Sequence, residues 1–305
     1  MRVLVVKLSS MGDVICGLPV AKTIKHNFPE GEVVWAVDKA FASIVERCPY
    51  VDRIVVRPKD MGEMWRTTRD LGEFEAVLDL QGLLKSGLMT AAARSKKKLG
   101  FHWQREGARL FSAPVKPDPT SLHVADQYLD VARALGAMEL TDFHTLQPTE
   151  TDSAEAKAIL QEAGIDPERP YFVMNAGAGW ITKRWAPEGF AHVSRELNSK
   201  GIQTVFIGAP NDAPVFEEVK AQNPGDAKSV VGKTSLPQLM AVISGSKGHL
   251  GGDTGSTHMT SALGKKAYGV YTLTKPERSC PYGQISRCQT LDAQKLTEQI
   301  LKEME

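Results

Sequence analysis

The chain has 305 residues, 42% of them hydrophobic and 24% charged, with a formal net charge of +1, the composition of an ordinary soluble globular protein. Charge this close to balance gives no reason to expect a nucleic-acid partner, and no run approaches the roughly 20 apolar residues needed to span a bilayer, so any membrane contact is expected to be peripheral. At about 100–200 residues per domain, the length predicts two domains.

Val3–Val6 is a β-rich run at the start of the chain, with no basic region and apolar stretch of the signal-peptide kind before it. After Ser9-Ser10-Met11-Gly12, the residues Val14, Leu18, Ala21 and Phe28 recur at helical spacing. Strands are expected at Val33–Val37, Ile54–Val56, Ala76–Leu80 and Lys98–Phe101, and helices at Met61–Leu71, Leu83–Arg94 and Val124–Leu135. The polar stretch Leu146–Asp152, with Pro148, breaks the periodicity and marks a domain boundary, giving domains 1–148 and 149–305. The second half repeats the theme. Helices are expected at Ala154–Ala163, Pro187–Asn198, Phe216–Ala221, Leu236–Ser244, Ser256–Leu263 and Ala293–Met304. Strands are expected at Tyr171–Asn175, Gln203–Ile207, near Leu250, and at Ala267–Tyr271. Such alternation predicts parallel sheets covered on both faces, in two Rossmann-like halves with a cleft between them. The cysteines Cys16, Cys48, Cys280 and Cys288 form no C-x-x-C pair, so a reduced, cytoplasmic chain is expected. The basic residues Arg94, Lys96, Lys97, Lys98, Arg105, Arg109 and Lys116 read either as a solvated face or as an attraction for an anionic acceptor or membrane surface.

Ligands of doubly wound sheets bind beyond the carboxyl ends of the strands, and four segments of this chain fall there. Lys7-Leu-Ser-Ser-Met-Gly-Asp13 follows the first strand and places Asp13 in the first turn of a helix. Asp13 there either favours the helix dipole or serves as a general base. Asn175-Ala-Gly-Ala-Gly-Trp-Ile-Thr-Lys-Arg-Trp185 opens its backbone at Gly177 and Gly179 and brings Lys183 and Arg184 for phosphate, with Trp185 as packing or base stacking. In Gly208-Ala-Pro-Asn-Asp212, Asp212 could hold a ribose diol or cap a helix. In Gly251–Thr272 a Gly-rich turn opens a helix at Gly255 and Ser256, with Asp253 and Thr254 suited to cap it and His258 as a further donor. A helix start of this kind suits a diphosphate.

In this order the four segments, together with LDLQGLLKS at Leu78–Ser86, resemble the ADP-heptose:lipopolysaccharide heptosyltransferases, a family of inverting glycosyltransferases, over nearly the whole chain. The opening looks most like the type I enzymes, which act on the Kdo residue of the inner core. The resemblance implies an α/β fold of two facing Rossmann-like domains of the GT-B type, with the acceptor in the first and the nucleotide sugar in the second. It implies Asp13 as the catalytic base. Gly177, Ala178, Lys183, Asp212, Thr234, Asp253, Thr254, Gly255 and His258 are expected around the donor, with Lys183 on the diphosphate, Asp212 on the ribose and Thr234 beside the adenine. Ser9, Ser10, Gly12, Gln81, Lys85 and Arg105 are expected around the acceptor.

The reading that follows is heptose transfer from ADP-heptose to the Kdo-bearing inner core of lipopolysaccharide. The acceptor would be a glycolipid of the lipid A–Kdo type, met peripherally at the inner face of the inner membrane. No acidic D-x-D cluster is evident, so neither a metal nor another cofactor is expected. Asp253 is assigned to the heptose, because a carboxylate is badly placed beside a diphosphate. The rivals are a nucleotide-sugar epimerase on the same scaffold, which needs acid and base groups around the donor sugar, and a non-catalytic nucleotide-binding regulator.

Overall fold

β-Branched, apolar runs buried on both faces are what a parallel sheet between two helical layers requires, and both halves of this chain supply them. The structure, a computed structural model, describes residues 1–138, 143–223 and 227–304. It divides into two compact units, Met1–Leu146 and Gln147–Glu305.

In the first unit the order is β1 (Arg2–Val6), α1 (Met11–Asn27), β2 (Glu32–Val37), α2 (Ala42–Val45), β3 (Arg53–Val56), α3 (Met61–Arg69), β4 (Ala76–Asp79), α4 (Leu84–Ala92), β5 (Lys97–Gly100), β6 (Ala113–Pro114) and α5 (Val124–Arg133). The strands lie in the order β3-β2-β1-β4-β5-β6 and every pairing is parallel. Strand β1 is central, with Val3 opposite Val33 on one side and Ala76 on the other. Val3, Leu4, Val5 and Val6 are fully buried.

The second unit runs α6 (Glu150–Glu162), β7 (Tyr171–Asn175), α7 (Pro187–Ser199), β8 (Gln203–Phe206), α8 (Ala213–Gln222), β9 (Lys228–Ser229), α9 (Leu236–Gly245), β10 (His249–Gly251), α10 (Gly255–Ala262), β11 (Ala267–Gly269), α11 (Pro276–Ser279) and α12 (Ala293–Met304). Its sheet, β11-β10-β7-β8-β9, is again wholly parallel, with β7 at the centre. Phe172, Phe190, Phe206 and Tyr268 fill its core, and Leu296 and Ile300 of the last helix close over it.

One expectation changes. Leu146–Asp152 is not irregular throughout, because α6 starts inside it. The Thr149 hydroxyl accepts from the Asp152 N–H at 3.1 Å and the Asp152 carboxylate accepts from the Thr149 N–H at 2.8 Å, a reciprocal cap that a T-x-x-D sequence can form. The basic run is largely solvated, with Arg94, Lys96, Lys97, Arg105, Arg109 and Lys116 exposed. Lys97, Lys98 and Arg94 donate to the carbonyls of Ala134, Ala91 and Arg69. The short elements β6, β9, α2 and α11 have too few residues to show a period and were not anticipated.

Candidate functional site

In each sheet the strand order reverses beside the central strand, and ligands of such sheets sit outside the carboxyl ends of the two strands that flank this switch point. In the first unit those strands are β1 and β4. Gln81, just after β4, accepts the N–H groups of Leu8 (3.1 Å) and Ser9 (3.0 Å) on its Oε1, which ties the two loops together. Asp79, the buried last residue of β4, accepts from the N–H groups of Gln81 and Gly82 and from the Ser86 hydroxyl, each at 3.0 Å. Burial pushes its carboxyl pKa up against those hydrogen bonds and the nearby Lys7 charge. The turn needs glycine at position 82. Its φ is +67° and a Cβ there would lie 2.8 Å from the Trp103 carbonyl oxygen.

Asp13 stands in the first turn of α1. Its Oδ2 accepts from the Ser10 N–H at 3.2 Å and the Ser10 hydroxyl at 2.8 Å, so the carboxylate orders the helix start whatever else it does. Lys85 reaches Asp38 at 3.1 Å and the Ser9 hydroxyl at 3.4 Å, and Asp38 also accepts from Arg57 at 2.6 Å. Lys7 is buried with its ammonium 4.9 Å from the centre of the Tyr128 ring. Burial lowers its pKa, opposed by the charges of Asp13 and Asp79. Ser9, Ser10, Asp13, Gln81 and Lys85 thus form one constellation, with Gly12 in the same first turn. Arg105 meets it through the backbone alone. Its N–H donates to the Gly82 carbonyl at 2.8 Å, while its guanidinium lies 5.3 Å from the centre of the Trp103 ring.

In the second unit the switch lies between β7 and β10. Asn175, the last residue of β7, accepts the Gly177 N–H and donates to the Ser256 hydroxyl, both at 2.9 Å, which fastens the Gly-rich loop to the start of α10. A chain of hydroxyls runs beneath. Thr257 donates to the Gly252 carbonyl at 2.7 Å, Thr254 lies 3.2 Å from Thr257, Ser256 3.0 Å from Thr254, and His249 Nε2 3.1 Å from Ser256. Each hydroxyl has one proton, so the fixed Thr257 bond sets the direction of the rest. Thr254 donates to Thr257, Ser256 to Thr254, and His249 carries its proton on Nε2. Its Nδ1 is buried without a hydrogen-bond partner, and burial pushes the imidazole pKa down to about 3.

This network corrects one expectation. Thr254 is the residue that precedes α10, but its side chain makes no capping bond, and Asp253 does not cap either. Asp253 Oδ2 instead pairs with Lys183 at 2.8 Å, and its Oδ1 lies 3.7 Å from His258 Nε2. Burial alone would raise the Asp253 pKa, but the adjoining His258 and Lys183 outweigh it and hold the carboxyl at about 2. Lys183, Asp253 and His258 are therefore one cluster, beside the Gly255 N-terminus of α10. Asp212 precedes α8 without a side-chain bond to it, and its carboxylate instead closes the short 3-10 turn Pro210–Asp212. Its Oδ2 accepts from the Ala209 N–H at 2.8 Å, and its carboxyl carbon lies 2.3 Å from where a Cβ on Gly177 would stand. Ala178, which follows Gly177, is partly exposed in the same loop. The turn that carries Thr234 is held beside the Asp212 loop by a Gly232 N–H bond to the Gly208 carbonyl at 2.9 Å. Trp185 packs edge-on against Phe190 at 5.0 Å and is buried, so it belongs to the core. Among the described residues, no group of three or more His, Cys, Asp or Glu could hold a metal ion.

Sequence reasoning missed Asp38, Asp79, Asn175 and His249. The signal for Asp79 and Asn175 was a polar side chain closing an otherwise apolar strand. His249, inside the run His249-Leu-Gly, gave none.

Two parallel α/β sheets, each with a polar constellation at its switch point, are the architecture of the GT-B type glycosyltransferases. The chain belongs to glycosyltransferase family 9 (heptosyltransferase), whose profile matches residues 64–304. It is 26% identical over 291 residues to the lipopolysaccharide core heptosyltransferase OpsX of Haemophilus influenzae, covering 92% of this chain and 82% of that one. It is 28% identical over 300 residues to lipopolysaccharide heptosyltransferase 1 of Escherichia coli, covering 93% and 92%. Among solved structures, a family 9 glycosyl transferase from Veillonella parvula superposes with a TM-score of 0.85 at 21% identity, over 99% of this chain and 95% of that one. The E. coli heptosyltransferase WaaC with ADP superposes with a TM-score of 0.73 at 26% identity, over 100% of both chains.

Because His249 is neutral when folded, unfolding takes up a proton below its ordinary pKa of 6.5. Its contribution is fully present above that value and is lost as pH falls towards about 3, at a slope of about 1.4 kcal/mol per pH unit. Urea unfolding between pH 6.5 and 4.5 is expected to show a shallower loss of stability in His249→Gln than in the parent. The Asp253 contribution falls off only below this window. Equal slopes in the two proteins would mean that His249 is not buried neutral.

Proposed function

We propose that this chain transfers heptose from ADP-heptose to the Kdo-bearing inner core of lipopolysaccharide, with inversion at the anomeric carbon. The observation that carries the reading is the pairing, in a family 9 chain, of a fixed carboxylate at one switch point with a Lys183 cation beside a helix start at the other. The Haemophilus and Escherichia relatives are named as lipopolysaccharide heptosyltransferases, and WaaC has been solved with ADP, which supports ADP-heptose as donor here.

The first unit takes the acceptor and the second the donor. Ser10 holds Oδ2 of Asp13 with two hydrogen bonds, so Oδ1 is the atom that receives the proton of the acceptor hydroxyl. That oxygen forms its bond to the anomeric carbon as the bond to the diphosphate breaks on the opposite face. The electron pair stays with the phosphate oxygen. Lys183 and the N–H groups at the start of α10 stabilise the negative charge that develops there. Lys183 thereby supplies charge that a metal supplies in other transferases, and turnover without added metal is expected. Asp212 takes the ribose, Thr234 lies by the adenine, and Gly177 and Ala178 offer backbone groups. Asp253 and His258 face the sugar end. Ser9, Ser10, Gln81 and Lys85 meet the acceptor, with Arg105 at the rim, where Lys85 suits the carboxylate of a Kdo residue. A glycolipid acceptor places the reaction at the inner face of the inner membrane. Among the described residues no helix is long and apolar enough to cross it.

Incubation with ADP-heptose, with and without a Kdo-bearing acceptor, tests the reading. ADP release that depends on acceptor supports it. Interconversion of the sugar without acceptor would establish an epimerase, and tight binding with no turnover a regulator.

Asp13→Asn keeps a carbonyl oxygen for Ser10 but cannot take a proton. It is expected to lower turnover by about 100-fold or more with the melting temperature and ADP affinity near those of the parent. Turnover within a factor of three would remove Asp13 from the mechanism. Gly177→Ser puts a Cβ into the space of the Asp212 carboxylate. A lost hydrogen bond to a charged group is worth about 1.5–3 kcal/mol, so ADP affinity should fall roughly tenfold or more. The same substitution made in an Asp212→Ala background should then cost little further affinity, since one contact cannot be lost twice. Additive losses in calorimetric titrations would show that Gly177 acts independently of Asp212.

A further inference from the structure

Lys183 is the cation proposed to meet the diphosphate, yet its ammonium is 2.8 Å from a carboxylate. Asp253 is half-buried, with 15% of its side chain exposed, and its two oxygens are divided between Lys183 and His258. It is therefore a fixed negative charge beside a site for an anion. Its pairing with Lys183 and His258 stabilises the fold, but it caps no helix. The turn before α10 is held by the Thr254, Ser256 and Thr257 hydroxyls and by Asn175. A carboxylate in that position weakens the binding of any phosphate group near Lys183 unless something else offsets it.

The reaction itself supplies the difference. In ADP-heptose the outer phosphate is esterified to the sugar and has one ionised oxygen, while the sugar hydroxyls can donate to a carboxylate. Transfer breaks the bond between the anomeric carbon and the phosphate oxygen and leaves the electron pair on that oxygen. The acceptor proton goes to Asp13 and then to water. The product ADP thus has one more ionisable oxygen than the donor, at the outer phosphate, and has lost the hydroxyls. We propose that Asp253 discriminates between donor and product. It accepts the hydroxyls of the bound sugar, repels the newly bared outer phosphate of ADP, and takes Lys183 back as ADP leaves. This rests on the reading that Lys183 meets the diphosphate and Asp253 the sugar.

The test is Asp253→Asn, which keeps the shape and removes the charge. Calorimetric titration of the full chain with ADP, ADP-heptose and AMP, without acceptor, gives three affinities for parent and variant. Removing one like charge next to the outer phosphate is expected to tighten ADP by about tenfold. ADP-heptose should bind no tighter, so its advantage over ADP shrinks by at least that factor. AMP, which lacks the outer phosphate, should bind as before and shows that the site is intact. In steady state, inhibition by ADP should strengthen by a similar factor while turnover falls. Equal weakening of all three ligands, or an unchanged ADP affinity, would overturn the proposal and make Asp253 structural. Lys183→Ala separates this from failure of the underlying reading. Loss of ADP affinity in that variant keeps the diphosphate contact in place whatever Asp253 does, and unchanged ADP affinity removes both. If Asp253→Asn does not fold, Asp253→Ser makes the same comparison.

Discussion

A parallel strand hydrogen-bonded on both sides can present chemistry only at its ends, and that constraint governs both halves of this protein. Strand β1 lies between β2 and β4, and β7 between β8 and β10. Their side chains are buried on both faces, so polar residues collect where each strand runs out. The order reverses beside these two strands, which is where ligands of such sheets bind. Lys7 to Asp13 and Asp79 to Lys85 meet at one such place, and Asn175 to Lys183 and Gly252 to His258 at the other.

Loops at a crevice have to be held without a ladder, and buried polar groups do this here. Gln81 bridges the two loops of the first unit, and Asp79 accepts three hydrogen bonds beneath it. Asn175 does the same in the second unit. Removing one member of such a set leaves its partners buried and unsatisfied, which costs more than the bond was worth. Structural and chemical roles are therefore hard to separate at these positions. Asp13 orders the start of α1 through Ser10, and the same two bonds fix which of its oxygens faces away.

Much of this was legible in the sequence, because both sheets announce themselves by apolar runs and both sites by small and polar residues just after them. Lys183 and His258 are brought to one helix start by the motifs themselves, while Gln81 and Lys85 join Asp13 only through the family resemblance. What could not be read was which partner each residue chooses. Asp253 and Thr254 look like helix caps, since Asp and Thr commonly are, but Asp253 is drawn to Lys183 across 70 positions of chain. Gly177 and Asp212 look like separate contributions to one pocket. Only the packed structure shows that the glycine leaves room for the carboxylate. The reciprocal cap at Thr149 was present in the letters and masked by Pro148, which reads as a break.

The direction of the hydroxyl chain bears on how the second site would recognise the diphosphate proposed for it. Thr257 is committed to the Gly252 carbonyl, so the Thr254 proton goes to Thr257 and the Ser256 proton to Thr254. Neither hydroxyl has a proton left for a phosphate. What the start of α10 can offer is its backbone N–H groups, and the side chains at 254 and 256 serve to aim them. A site built this way recognises charge and position, since an N–H at a helix start has no freedom to rotate towards a different ligand. Selectivity among phosphates must then come from the groups around the turn. Lys183, Asp253, His258 and the buried His249 are titratable side chains gathered there, and among these four only Asp253 carries a negative charge that can disfavour an anion. On the proposed reading, the donor site separates attraction, carried by backbone and Lys183, from discrimination, carried by the Asp253 carboxylate.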